Sequence, residues 1–239
     1  MTQSSANWHH GRLAAFDIES TGVDPQSDRI VTATISVVGG GQPIDSVSWL
    51  ADPGIPIPEG ASRVHGISTE KAQAEGRPAA EVVREIVEKL AVSVAHGVPV
   101  VAFNARYDLT MLDREARRHG IVPLTDREGD LLVIDPLIID KQLDKYRKGK
   151  RTLTAVCEVY QVKLSEDDAH AADADAIAAA RVAWRLGEKY EELSVGLKEL
   201  HGSQILWAAE QAESLEQYFR SQGKNETIER EWPIVPAAD

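Results

Sequence analysis

A chain of 239 residues, 43% hydrophobic and with a formal net charge of −12, has room for one sizeable α/β domain plus an appendage, and not for two large domains. The single cysteine, Cys157, excludes an intrachain disulfide and sets a reducing, cytoplasmic compartment as the expectation; no stretch approaches the roughly 18 apolar residues of a membrane span, and Met1 to Arg12 lacks the apolar region of a signal peptide. The acidic balance opposes broad coating of a nucleic acid duplex, although one basic stretch, Lys145-Tyr-Arg-Lys-Gly-Lys-Arg151, stands against it.

Leu13 to Gly22 is an apolar run carrying Asp17 and Glu19 one residue apart. In a strand, residues i and i+2 share a face, so these carboxylates project together while Phe16 and Ile18 enter the opposite layer. Arg29 to Val38 is rich in β-branched residues, and Gly39-Gly40-Gly41 turns it into Asp45 to Leu50, which predicts an antiparallel three-strand meander. The prolines of Asp52 to Pro58 predict a loop, leading to Val64-His65-Gly66-Ile67. From Ala79 to Ala95 apolar residues recur at helical spacing, stopped by Gly97 and Pro99. Val98 to Phe103 reads as a short buried strand, parallel to the first because a helix intervenes. Asn104 is placed as the N-cap of a helix running to about His119. Leu131 to Ile134 is the expected fifth strand; Asp135-Pro136 leads into a helical segment and then the basic stretch. Helices are expected over Thr152 to Tyr160 and, rich in alanine, over Ala171 to Tyr190, with His170 at its entrance. The remainder holds an amphipathic stretch and a Pro-containing tail.

Acids recur at comparable structural positions: Asp17 and Glu19 at the end of the first strand, Asp108 in a first helical turn, and Asp173 or Asp175 near the start of the alanine-rich helix. Each has an ordinary explanation, as the acidic face of an edge strand or a first-turn acid complementing the helix dipole, and His170 alone reads as a cap or surface histidine. As an ordered set they point to carboxylates that share a proton or neutralise a cation.

Phe16-Asp17-Ile18-Glu19-Ser20-Thr21-Gly22, Asn104-Ala-Arg-Tyr-Asp108 and His170-Ala-Ala-Asp-Ala-Asp175 resemble the three motifs of the DEDDh (DnaQ-like) 3'-5' exonucleases, whose members include the proofreading epsilon subunit of bacterial DNA polymerase III and ribonuclease T. The His-x-Ala-x-x-Asp form selects Asp175 over Asp173. Val64 to Ile67 is similar to the segment that meets the terminal nucleotide in epsilon-like members. Ser20 stands where Thr is usual and Arg106-Tyr107 replaces a small residue and Phe, which leaves the ligands intact.

The resemblance implies an α/β, ribonuclease H-like fold: a five-stranded mixed sheet, with the antiparallel meander and further parallel strands, flanked by helices. It implies two divalent cations, Mg²⁺ or Mn²⁺, held by Asp17, Glu19, Asp108 and Asp175, with His170 as general base. Ser20, Thr21, Gly22, His65, Phe103 and Asn104 would surround the terminal nucleotide, with a core aromatic and an N-cap as the competing roles of Phe103 and Asn104. The implied substrate is a 3' end, single-stranded DNA being favoured, and the product a nucleoside 5'-monophosphate. The implied domains are a mobile lead-in over 1–11, the exonuclease domain over 12–190, and a helical extension with its tail over 191–239. Competing functions are an exoribonuclease or short-oligonucleotide hydrolase of the same family, and a noncatalytic binding or assembly subunit. The extension either contacts a polymerase or other protein partner, or packs back on its own domain through Trp207, Phe219 and Trp232; the second is favoured because large apolar side chains need cover.

Overall fold

The computed structural model describes residues 5–163 and 174–237. Strands β1 (Arg12–Ser20), β2 (Ile30–Gly39), β3 (Asp45–Asp52), β4 (Arg77–Pro78), β5 (Val100–Val101) and β6 (Val133–Ile134) form one mixed sheet in the order β4-β3-β2-β1-β5-β6. The first three make the expected antiparallel meander, and β5 and β6 extend it in parallel beside β1. The helices are α1 (Glu59–His65), α2 (Thr69–Glu75), α3 (Ala79–Ala95), α4 (Ala105–Arg118), α5 (Pro136–Leu143), α6 (Leu153–Val159), α7 (Ala174–Lys189) and α8 (Leu197–Ser221).

Because β1 is central, its alternation divides the core. Ala14, Phe16 and Ile18 join the layer of α3 and α4, whereas Leu13 and Ala15 join the layer of α7. Asp17 and Glu19 continue that second face by the period of two. The inward side of α7 is small, with Ala176, Ala179, Ala180, Ala183 and Gly187 buried. A Cβ on Gly187 would fall 2.6 Å from the His9 ring, so this helix lies close over its neighbours only because that atom is missing.

The sheet has six strands rather than five. The additional one, β4, pairs in parallel with β3 through Ala51 and Asp52, and its Gly76-Arg77-Pro78 sequence reads as a turn. An edge strand tolerates the proline, and a Cβ on Gly76 would sit 2.6 Å from the Asp52 amide nitrogen. Nor do the described residues of the lead-in hang free: Ser5–His10 form a 3₁₀ segment, and buried Trp8 donates from Nε1 to the Leu193 carbonyl at 2.9 Å.

At the opposite edge, α8 closes the sheet. His201 Nδ1 accepts the Val133 N–H at 3.1 Å, while the Gln204 amide donates to the Val133 carbonyl at 2.9 Å and accepts the Asp135 N–H at 2.7 Å. Two side chains thus take the place of a further strand beside β6, whose open backbone groups would otherwise be a liability. Ala208 and Trp232 enter the main core, so the extension shares the core of the sheet. Among the described residues no helix is long and apolar enough to cross a membrane.

Candidate active site

At the C-terminal end of β1 the register with β2 shifts between Glu19 and Ser20, an irregularity of the kind that re-aims side chains. Asp108, buried in the first turn of α4, accepts the Ile18 N–H at 3.2 Å. Asp175 stands exposed on the first turn of α7. These groups lie within one another's fields. Burial, then Glu19 and Asp175, push the Asp17 carboxyl up to about 8. Burial and Asp17 hold Asp108 well above the usual carboxylate range, against the lowering effect of the Ile18 N–H. Burial and Asp175 raise Glu19. Among the described residues no Lys or Arg forms an ion pair with Asp17, Glu19 or Asp108. His170 lies outside the described residues.

Hard oxygen donors with surplus negative charge suit Mg²⁺ or Mn²⁺, and two such ions would balance four carboxylates. The residues present therefore fit the implied metals. Their oxygens are not drawn into a tight knot: among the described residues the set of three whose ligand atoms all lie within 4.8 Å is His9, His10 and Glu188. That set is a separate feature, since Glu188 and Asp175 sit at opposite ends of α7, about 20 Å apart by helical rise.

The residues expected around a terminal nucleotide are placed unevenly. Ser20 Oγ and Tyr107 Oη, 2.5 Å apart, both donate to the Gly22 carbonyl; the tyrosine that departs from the family pattern thus ties the end of β1 to α4. Thr21 is buried, its Oγ1 donating to Asp28 at 2.8 Å and accepting the Arg29 N–H at 3.0 Å. A Cβ on Gly22 would meet the Asp28 carboxylate at 2.5 Å. His65 lies against the Ser20 backbone, and burial lowers its pKa; its Nδ1 accepts the Ile67 N–H at 3.2 Å, and its buried Nε2 has no partner among the described residues. Phe103 is partly buried against the core beneath α7.

Asn104 occupies the N-cap position of α4 but its side chain caps nothing; its backbone is left-handed, at φ 70°. The cap comes from Asp135, a residue that the sequence reading gave no role in α4. Its fully buried carboxylate accepts the N–H groups of Asn104 at 3.0 Å, Ala105 at 2.9 Å and Leu137 at 2.9 Å, and Trp232 Nε1–H at 3.4 Å. Asp135 therefore positions the helix that delivers Asp108. The available signal was Asp135-Pro136, a cap followed by a first-turn proline, which marked α5 and gave no hint of α4.

The basic stretch also divides. Arg147 and Arg151 are turned inward onto buried Asp140, at 2.6 and 2.5 Å, while Lys145, Lys148 and Lys150 remain exposed.

Residues 14–183 match the RNase_T family model, described as "Exonuclease". The chain belongs to this exonuclease family. The matched span contains Asp17, Glu19, Asp108 and Asp175 and stops short of α8. Within the wider family, a DNA polymerase III subunit epsilon-like protein of Rhodobacter capsulatus is 32% identical over 177 residues, covering 73% of this chain and 23% of the relative. A PolC-type DNA polymerase III of Caldanaerobacter subterraneus is 25% identical over 185 residues, 77% of this chain and 12% of the relative. The chain thus spans a quarter or less of these relatives. Among solved structures, exonuclease I of Methylocaldum szegediense superposes with a TM-score of 0.62 at 21% identity, covering 77% of this chain and 42% of that one. Escherichia coli exonuclease I in complex with a dT13 oligonucleotide gives 0.60 at 18% identity, over 72% and 40%. These likenesses support the ribonuclease H-like fold.

Proposed function

We propose that the chain is a metal-dependent 3'-5' exonuclease that hydrolyses the terminal phosphodiester of single-stranded DNA and releases nucleoside 5'-monophosphates. The observation that carries this reading is the group of mutually repelling carboxylates, buried Asp108 with partly buried Asp17 and Glu19, with Asp175 at its margin and no protein cation paired to the first three among the described residues. These four residues would hold two Mg²⁺ or Mn²⁺ ions. Bound there, the ions supply an acidified water and stabilisation for the departing 3' oxygen. Asp17 and Glu19 are fixed by the central strand and Asp108 by a helix start anchored through Asp135, which limits their freedom to reorient. His170, near neutral in ordinary pKa, takes the proton from the water. Ser20, Thr21, Gly22, His65, Phe103 and Asn104 frame the terminal nucleotide, with Thr21 and Gly22 acting through backbone because Asp28 occupies their side-chain space.

The exonuclease unit spans 12–190. The outward face of α8, where Ile205 and Leu206 are exposed, is the candidate contact for a polymerase or other protein partner in the cytoplasm. Incubating 5'-labelled single-stranded DNA with Mg²⁺ or Mn²⁺, and with chelator, tests the reading: stepwise shortening with mononucleotide release only in the metal arms is expected. Metal-independent or absent release would overturn it, and preferential degradation of matched RNA would transfer it to an exoribonuclease.

A further inference from the structure

A second cationic feature follows the seam between α5 and α8. A cavity of about 110 Å³ opens beside the start of α4, with Asn104, Arg106, Lys141 and Trp232 in its lining. It shares Lys141, Gln211 and Leu215 with a neighbouring cavity of about 320 Å³, to which Lys145, Arg151 and Tyr218 contribute. Together they form a trough that begins one helical turn from Asp108 and leads away across α8.

Its charge is not satisfied from within. Lys141 lies in the fields of Asp135 and Asp140 as well as of Arg151 and Arg106, but makes no ion pair among the described residues. Arg106 has a buried Nε without a partner among them, although Glu229 and Glu231 lie near enough to act on it. Asp135, which faces the same cavity, is already engaged by four N–H donors. On a chain of net charge −12, two partly buried cations lacking ion-pair partners side by side suit an anion. The shape narrows the choice. The first cavity has the volume of only a few waters at about 30 Å³ each, enough for one anionic group. The second falls in the range of about 300–1,000 Å³ typical of ligand pockets and ends at Tyr218, a residue 59% exposed. An anion site followed by an aromatic platform matches one phosphate and one base of a single strand.

We infer that this trough binds the nucleotides that precede the 3'-terminal two, with a phosphate between Arg106 and Lys141 and a base against Tyr218. The inference rests on the exonuclease reading for its direction, but its α8 wall lies beyond the span of the family match.

The test measures binding and hydrolysis separately, on a dinucleotide and on progressively longer oligothymidylates. In chelator, fluorescence anisotropy with the wild type should show affinity rising with length. Tyr218→Ala, at an exposed position that folding does not need, should weaken long strands about five- to a hundredfold, the worth of a base–aromatic stack. Lys141→Gln should flatten the slope of log K against log salt by about 0.7, one phosphate contact on a single strand. Glu210→Gln, which removes an acid from the wider cavity, should strengthen binding. None of the three should change KM for the dinucleotide in Mn²⁺. Wild-type affinity indifferent to length, or variants that bind long strands as the wild type does or weaken short and long equally, would overturn the trough. Length-dependent binding that needs Tyr218 and Lys141, without mononucleotide release in Mn²⁺, would uphold the trough and overturn the exonuclease reading.

Discussion

Helix α4 buries acids at both ends, and the two ends are treated in opposite ways. In its second half, Asp113 is held by Arg114 at 2.5 Å and Arg117 at 3.0 Å, and Glu115 by Arg118 and, at 3.9 Å, by Arg29. Asp140 on α5 is similar, gripped by Arg147 and Arg151 and by Tyr160 Oη at 2.8 Å. In the first turn, Asp108 is just as buried but faces Asp17, and both carboxyls are driven upward. An unpaired buried charge costs several kcal/mol. Arginines hold Asp113, Glu115 and Asp140, and four N–H donors hold buried Asp135; Asp17 and Asp108 instead face each other with no ion pair among the described residues, which supports the proposal that they take cations from outside.

The largest effect should come from breaking the unpaired set. Asp17→Asn should cut turnover at least as far as the roughly hundred- to ten-thousand-fold expected for His170→Ala, whose proposed role is to take the water's proton. The two should differ in metal binding: Asp17→Asn loses most of the thermal stabilisation by Mn²⁺, and His170→Ala keeps it. In chelator, Asp17→Asn should melt at or above the wild type, because it relieves repulsion without changing packing. An active Asp17→Asn enzyme, or one melting well below wild type in chelator, would make this acid structural.

The paired set should respond the other way. Asp140→Asn leaves Arg147 and Arg151 without their counter-charge, a loss of about 3–5 kcal/mol and roughly 6–20 °C in Tm for a chain of this size. Turnover per folded molecule should stay near wild type. A thermal melt alongside active-site titration separates the two, and a large loss of turnover with an unchanged Tm would collapse the distinction between the two sets.

This distinction was only half legible in the sequence. Asp17 and Glu19 could be placed on one face because a strand alternates regardless of its surroundings, and the ordered motifs added Asp108 and Asp175. What sequence spacing does not reveal is pairing at a distance. Arg147 and Arg151 looked like part of a nucleic acid patch until Asp140 appeared beneath them. Asn104 looked like a cap because its neighbours are helical, while the capping carboxylate, Asp135, lies 31 residues away. Strand β4 was hidden by the proline that an edge position tolerates, and the role of Trp8 depends on a carbonyl 185 residues distant.

A smaller effect follows from protons. With Asp17 at about 8 in the fold against 3.8 ordinarily, the folded chain keeps a proton that the unfolded chain releases between those values. Metal-free stability should therefore fall as pH rises from about 4 to about 8 through this group. Mn²⁺ affinity should rise over the same interval, since binding displaces the proton. Melts in chelator across this range check the sign, and Asp17→Asn should flatten the trend; a wild type that gains stability with pH there would place the excess protons elsewhere.

The smallest effect separates the two halves of the basic stretch. If its arginines serve Asp140 and its lysines serve a substrate, replacing Lys148 and Lys150 with Ser should leave the melting temperature unchanged, because both side chains are exposed. KM for a long single strand should rise, and its dependence on salt should flatten by up to about 1.4 in the log–log slope, two phosphate contacts at about 0.7 each. Turnover at saturation should hold, since neither lysine lies among the carboxylates. A KM shift that persists on a dinucleotide would place these lysines at the terminal phosphate instead. An unchanged salt slope would make them a solvated loop, and the positive charge that matters would then lie wholly along the trough at Lys141 and Arg106.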